Sequence, residues 1–224
     1  MIFVGDHFKE DGDWIWTSLC GVEKYLLGIH ADGRGRAVAE RFVNKELDKL
    51  KPDHMPLFVT DGYKPYQDIL FERYSFFHIR NRGRGRPGKD YLVAKPDLNY
   101  GIVEKTRKGK KLEKVRRYVR FGQIPLEFLN TSAIERSNLT NRIFCSRLRR
   151  RSTTFSRSLE TVESSLQIYK AFYNLCRGHQ SLSIPRRQNG GKYQPISPAM
   201  KLGLTDHVWN MHEVMIFPYR QNIN

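Results

Sequence analysis

Two acids occupy positions where carboxylates can do chemistry. The run Leu57-Phe58-Val59-Thr60 is short, apolar and β-branched, which predicts a strand covered on both faces, and it delivers Asp61 at its C-terminal end, with Gly62 behind it for a tight exit. Ligands of open α/β sheets gather at strand ends, so an acid there is a candidate site residue. The second acid is Glu135, within 130–151 (NTSAIERSNLTNRIFCSRLRRR), which reads as one helix. Ser132 precedes Glu135 by three residues, the capping-box spacing. Glu135, Asn138, Arg142 and Arg149 recur on one face, while Ile134, Leu139, Ile143 and Leu148 supply apolar contacts around the other side. Six arginines (Arg136, Arg142, Arg147, Arg149, Arg150, Arg151) against one acid make a face suited to polyphosphate. Carboxylates at a strand end and on a basic helix suggest a shared Mg²⁺, since hard divalent ions take oxygen ligands and assist in-line phosphoryl transfer. Such chemistry usually uses three acids. Asp-Gly is also a common turn pair, and residue types alone favour that role for Asp61; for Glu135, helix cap and ligand can coexist.

The elements that must position these acids follow from periodicity. The aromatic, alternating 13–19 (DWIWTSL) predicts a strand, and 24–31 predicts a second that closes a hairpin with it. Ala39, Phe42, Val43, Leu47 and Leu50 recur at helical spacing across 35–50, and Pro52 ends the run. After Asp61 come a short helix over 65–72 and a strand over 74–79. The composition then changes: residues 80–120 hold fifteen basic and four acidic side chains, a net +11. RNRGRGRPGK (80–89) is glycine-punctuated and suits an arm that follows a phosphate backbone through Arg82, Arg84, Arg86 and Lys89. Residues 101–120 predict a basic hairpin closed at Lys108-Gly109, and 158–176 a long helix with one buried face. The stretch 179–193 reads as loop, and Ser197-Pro198 as a cap and first helical position. The expected organisation is therefore 1–79 as the first part of a catalytic domain, 80–126 as a basic insertion, 127–180 as its C-terminal helices, and 181–224 as a tail.

The bulk composition agrees with a folded partner of an anion. The chain has 224 residues, 39% hydrophobic and 12% aromatic, enough for a real core. A formal charge of +16 calls for nucleic acid, an acidic membrane surface or an acidic protein, and nucleic acid is the most economical of these. No apolar run reaches the length of a membrane span and no signal-peptide pattern opens the sequence, so the expectation is a cytoplasmic, nucleoid-associated protein without membrane contact. Cys20, Cys145 and Cys176 lack metal-ligand spacing and read as reduced thiols. The histidines show no spacing for ligation, and Trp14, Trp16 and Trp209 read as core.

Four segments together, FVTDGYKPY (58–66), AIERSNLTNR (133–142), SRLRRRSTTFSRSLE (146–160) and AFYNLCRGHQSL (171–182), resemble transposases of the insertion-sequence-one type and their archaeal and bacterial relatives. The resemblance runs over most of the chain. It implies an RNase H-like α/β fold, a mixed sheet flanked by helices, that cuts and joins DNA with three acids, Asp, Asp and Glu, holding two Mg²⁺ or Mn²⁺. Carried over by residue, Asp61 matches the second acid and Glu135, 74 positions later, the third. Arg136, Asn138 and Arg142 match the family's polar helix face, expected to orient Glu135 and, with Arg149 and Arg150, to contact phosphates. Duplex DNA, at element ends and target, is the implied partner, with a homo-oligomer assembled on it.

One departure from the family pattern sets a further expectation. The family's first Asp lies in an Asp-Glu motif upstream of a segment like Ile2–Gly5, and here the sequence opens at Met1-Ile2-Phe3-Val4-Gly5. A shortened first strand is therefore expected, from a truncated or frameshift-fused reading frame. Asp6, Asp11 and Asp13 are expected in a polar turn, and Cys20 stands where some relatives carry an acid. The chain is then expected to bind DNA while cutting it weakly or not at all. A non-catalytic DNA-binding fragment acting as inhibitor or remnant is the alternative, and a basic RNA-binding protein is a third reading that charge alone permits.

Overall fold

The computed structural model describes residues 1–7, 13–51, 54–78, 90–109, 111–148, 158–185 and 193–217. Its frame is a six-stranded mixed sheet: β1 (Ile2–His7), β2 (Asp13–Leu19), β3 (Leu26–Gly33), β4 (Leu57–Thr60), β7 (Asn99–Lys108) and β8 (Lys111–Phe121). The spatial order is β3-β2-β1-β4-β7-β8. β1, β4 and β7 are mutually parallel, and the remaining pairs are antiparallel. Two helices, α1 (Arg36–Leu47) and α2 (Lys64–Arg73), carry the chain between strands on one face. α3 (Ser132–Phe144) and α4 (Leu159–Ala171) cover the other. The chain is thus α/β, with the sheet as the middle of three layers.

Period-two alternation sorts each strand between two cores. In β2, Ile15 and Leu19 bury beneath α3 and α4 with Val59, Val103, Ile134, Val162 and Leu166, whereas Trp16 buries on the opposite side with Phe42, Phe58, Tyr66 and Leu70. Gly101 of β7 lacks a Cβ for a local reason, because the Leu129 side chain packs onto its backbone there. The hairpin between β7 and β8 turns through Gly109, whose φ of +60° suits glycine.

Two expectations about the frame are revised. β7 and β8 lie inside the stretch read as a basic insertion, yet they are strands of the main sheet. What stands apart from the sheet is a separate two-stranded ribbon, β5 (Ser75–His78) with β6 (Tyr91–Ala94), and the 80–89 arm between these strands lies outside the described residues. The first strand is a six-residue central strand, paired along its length with β2 and with β4 at Ile2↔Val59 and Phe3↔Thr60. Asp6 consequently belongs to β1, opposite Ile15, and Asp13 opens β2, opposite Gly33; neither lies in a turn. Asp11 is outside the described residues.

α3 is shorter than the predicted 130–151 helix. It stops at Phe144, where Cys145 turns extended, and a single 3₁₀ turn, Ser146–Leu148, follows. Ile134 and Leu148 are buried as expected, but Leu139 and Ile143 are exposed. α4 passes into one π-turn, Phe172–Cys176, and further on Ser197 caps α5 (Pro198–Lys201) by accepting the Met200 N–H. A short α6 (Met211–Ile216) follows, closed by an Asn210/Glu213 capping box. Among the described residues no helix is long and apolar enough to cross a membrane. The three cysteines are free thiols.

Two histidines give this fold opposite pH dependences. His30 of β3 lies 3.0 Å from the Glu163 carboxylate of α4, and that hydrogen bond raises its pKa above the ordinary 6.5. Burial pushes Glu163 up, but hydrogen bonds from His30 and the Ala31 N–H outweigh it and leave the carboxyl below its ordinary range. His179, edge-on to Tyr173 at 4.6 Å, is pushed down to about 4, first by burial and then by the Arg177 charge. The signs follow from linkage. The His30 contribution is full below pH 6.5 and is lost as pH rises through its elevated pKa. The His179 contribution is full above 6.5 and is lost as pH falls toward 4. Thermal midpoints measured against pH should therefore fall on both sides. Glu163→Gln removes the alkaline decline and His179→Phe the acid one; an unchanged profile in either variant would count against the assignment.

Candidate nucleic-acid and metal site

A cleft of about 1200 Å³ opens at the C-terminal ends of β4 and β7, walled by α3 and by the start of α2. Alternation determines what points into it. Val59 buries beneath α3, Thr60 turns to the other side, where its hydroxyl meets the Tyr100 hydroxyl at 2.8 Å, and Asp61 follows into the cleft. Asp61 serves its turn as well: its Oδ1 accepts the Tyr63 N–H at 3.1 Å, so the turn and site readings coexist. Burial first, with the Asp61 charge adding to it, pushes the Tyr66 and Tyr100 phenols upward and keeps them neutral.

Glu135 reaches the same cleft from the first turn of α3. It does not close a capping box, because α3 starts at Ser132 and Asn130, not Ser132, supplies the local bond, its Oδ1 accepting the Ser132 N–H at 2.7 Å. The Glu135 carboxylate instead receives Lys105 Nζ on both oxygens, at 2.5 and 2.6 Å, and the Thr131 hydroxyl on Oε1 at 2.6 Å. Lys105 lies two residues beyond Val103 on β7, so it shares the face that packs on α3. Its neighbour Glu104 takes the opposite direction, lies against Gly62 and accepts the Tyr118 hydroxyl at 2.8 Å.

Asn138 and Arg142 line the cleft, one and two turns along α3 from Glu135. Asn138 is 93% buried, being 7% exposed, and its Oδ1 has no hydrogen-bond partner among the described residues. A buried amide oxygen without a partner, in the wall of a polar cleft, is an acceptor waiting for a donor or a cation. Arg136 does not join them. It follows Glu135 by one residue, about 100° around the helix, and lines a different cleft with Lys24, Arg177 and His179 at the other end of the sheet. Arg82, Arg84, Arg86, Lys89, Arg149 and Arg150 lie outside the described residues.

Several lining residues were not singled out by sequence. Arg34 covers Trp14 at 4.4 Å and Tyr63 at 5.3 Å, and its carbonyl accepts the Tyr63 hydroxyl, forming a cationic and aromatic lip at the cleft mouth. Trp14 and Trp16, two residues apart on one face of β2, both line the cleft, Trp14 half-buried at its mouth and Trp16 buried as the core residue expected. Lys64 and Arg107 add charge to the rim. With Lys105 and Arg142, the cleft gathers five cations around Asp61, Glu104 and Glu135.

As a metal site, the cleft offers hard oxygens only: two carboxylates on facing elements and the orphaned Asn138 amide, the donor types that suit Mg²⁺ or Mn²⁺. Among the described residues, no three His, Cys, Asp or Glu side chains stand close enough together to hold a metal ion. No protein-family model, curated protein or solved structure matches the chain.

Proposed function

We propose that the chain is a metal-dependent DNA-cleaving and strand-joining enzyme of transposase type, built on an RNase H-like sheet. The observation that carries this reading is the convergence of Asp61, from the end of β4, and Glu135, from α3, in one cleft ringed by cations. The strand order supports the RNase H-like assignment: an antiparallel β1-β2-β3 meander whose first strand runs beside parallel β4. Asp61, Glu135 and the Asn138 amide oxygen would hold Mg²⁺ or Mn²⁺. When bound, such an ion supplies Lewis-acid assistance for attack of water or a DNA 3′ hydroxyl on phosphorus.

The chain's own groups have distinct parts in this scheme. Arg34, Lys64, Arg107 and Arg142 hold successive phosphates, and the Trp14/Tyr63 lip borders the bound strand. Thr131 fixes the rotamer of Glu135 through its hydroxyl. The Thr60–Tyr100 pair anchors the strand end that presents Asp61. Duplex DNA is the proposed substrate, with copies of the chain assembled on it.

A cleft that binds duplex DNA without cutting it is the second reading, favoured by the ion pair that already neutralises Glu135. Two measurements separate them. Binding to a short duplex should weaken steeply with salt, and each neutralised phosphate contact should lower the log–log slope by about 0.9. Arg107→Gln with Arg142→Gln is expected to remove roughly two such increments; an unchanged slope would exclude this cleft as the DNA site. Mg²⁺-dependent nicking of the same duplex, lost in Asp61→Asn, supports the enzyme. Binding with no nicking at any Mg²⁺ or Mn²⁺ level leaves the binder.

A further inference from the structure

Lys105 is placed where a metal ion would have to be. Its ammonium spans both oxygens of Glu135, at 2.5 and 2.6 Å, and with the Thr131 hydroxyl it gives that carboxylate three donors. A divalent cation needs the same lone pairs, so the ammonium and the ion exclude one another. The pair joins residues 30 positions apart in sequence, on β7 and α3, and is therefore a product of the tertiary fold. The Lys105 side chain is 24% exposed, so one side of it faces the open cleft. A flexible four-carbon stem lets its charge leave Glu135 without any backbone movement.

We infer that Lys105 is a built-in counter-ion that blocks metal binding at Glu135 until DNA draws it away, so that metal loads only on the DNA-bound protein. This rests on the metal role proposed for Glu135. Arg34, Lys64, Arg107 and Arg142 bring a phosphate backbone into the cleft, and a phosphate beside Lys105 offers its ammonium a new partner. Glu135 is then released to the ion, still oriented by Thr131. Linkage makes the coupling reciprocal: DNA strengthens metal binding, and metal strengthens DNA binding by the same factor. The arrangement confines phosphodiester chemistry to the bound substrate.

The test is Mn²⁺ binding, followed by electron paramagnetic resonance, to the full chain with and without a short duplex. Wild-type protein is expected to bind Mn²⁺ weakly alone and roughly 5- to 150-fold more tightly on DNA, the usual span of a coupling factor. Lys105→Gln should bind tightly without DNA and gain little from it. Lys108→Gln removes the same charge from the same strand at a residue outside the cleft lining, and it should behave like wild type. Equal Mn²⁺ affinity in wild type and Lys105→Gln overturns the inference, as does an equal gain in Lys108→Gln, which would reduce it to general charge. If wild-type binding disappears in Glu135→Gln while Lys105→Gln changes nothing, this inference fails and the metal reading stands. If no variant binds Mn²⁺ even on DNA, both fall.

Discussion

If the proposed function holds, Glu135→Gln and Asp61→Asn should each lower Mg²⁺-dependent cleavage of duplex DNA by on the order of a thousandfold, while DNA affinity stays within a few-fold of wild type. The magnitude follows from what a carboxylate does in such a site. Metal-assisted stabilisation of developing charge amounts to several kcal/mol, and each 1.36 kcal/mol is tenfold in rate. Both substitutions keep size and hydrogen-bonding shape, so the fold should tolerate them. Glu135→Gln still accepts from Thr131 through its amide oxygen, and Asp61→Asn still accepts the Tyr63 N–H. Neither acid is proposed as a phosphate contact, so affinity, assigned to Arg34, Lys64, Arg107 and Arg142 in the proposal, should be spared. Quenched-flow or gel measurement of nicking beside a binding titration checks this. Cleavage retained in either variant would remove that acid from the mechanism.

Asn174→Leu destabilises the protein by about 2–5 kcal/mol, the sum expected for two buried backbone groups left unpaired. Asn174 sits in the π-turn after α4, 3% exposed. Its side-chain oxygen accepts the Leu26 N–H at 2.8 Å, and its amide nitrogen donates to the Leu26 carbonyl at 2.9 Å. The amide thus acts as a one-residue strand partner for β3, at the edge of the sheet. Leucine has similar volume and neither polar group, so Leu26, itself fully buried, loses both partners. At roughly 2–4 °C per kcal/mol for a chain of this size, the midpoint of thermal unfolding should drop by about 4–20 °C. A shift below about 2 °C would mean that water or a backbone adjustment replaces the amide.

Much of the frame was legible because local pattern and tertiary demand agree. Strand 13–19 and strand 57–60 were predicted to the residue by alternation and by an uninterrupted apolar run. The basic hairpin turns at Gly109 as its glycine implied, and Ser197 caps as expected. β7 was absorbed into an insertion because charge dominated the reading. Its first half, Tyr100-Gly101-Ile102-Val103, is nevertheless an apolar run of the same kind as Leu57-Phe58-Val59-Thr60, and it is buried throughout. That run was the available signal. The basic character of β8 follows from its exposure, since most of its residues face solvent at the sheet edge.

The site divided along the same line. Asp61 was found because a strand end is a local feature. Glu135 was found on a helical face, but its partner was not, since the capping-box pattern reads three residues whereas Lys105 arrives from 30 residues away. Arg136 was grouped with Asn138 and Arg142 by the family resemblance, although it follows Glu135 by one residue and so points about 100° away from it. Trp14 and Trp16 share a face, as period two requires, but Trp14 lies nearer the cleft mouth under Arg34, a placement that residue type does not show. For Lys105 the missing term was sequence distance, and for Arg136 it was direction around the helix.

The most direct test of the central claim is anomalous diffraction from crystals of the protein with a short DNA duplex, grown in Mn²⁺. The account predicts an Mn²⁺ peak within coordination distance of the Asp61 and Glu135 carboxylates, with Lys105 turned onto a phosphate. Duplex seated in the cleft with no Mn²⁺ at those two acids, and Lys105 still holding Glu135, would contradict it.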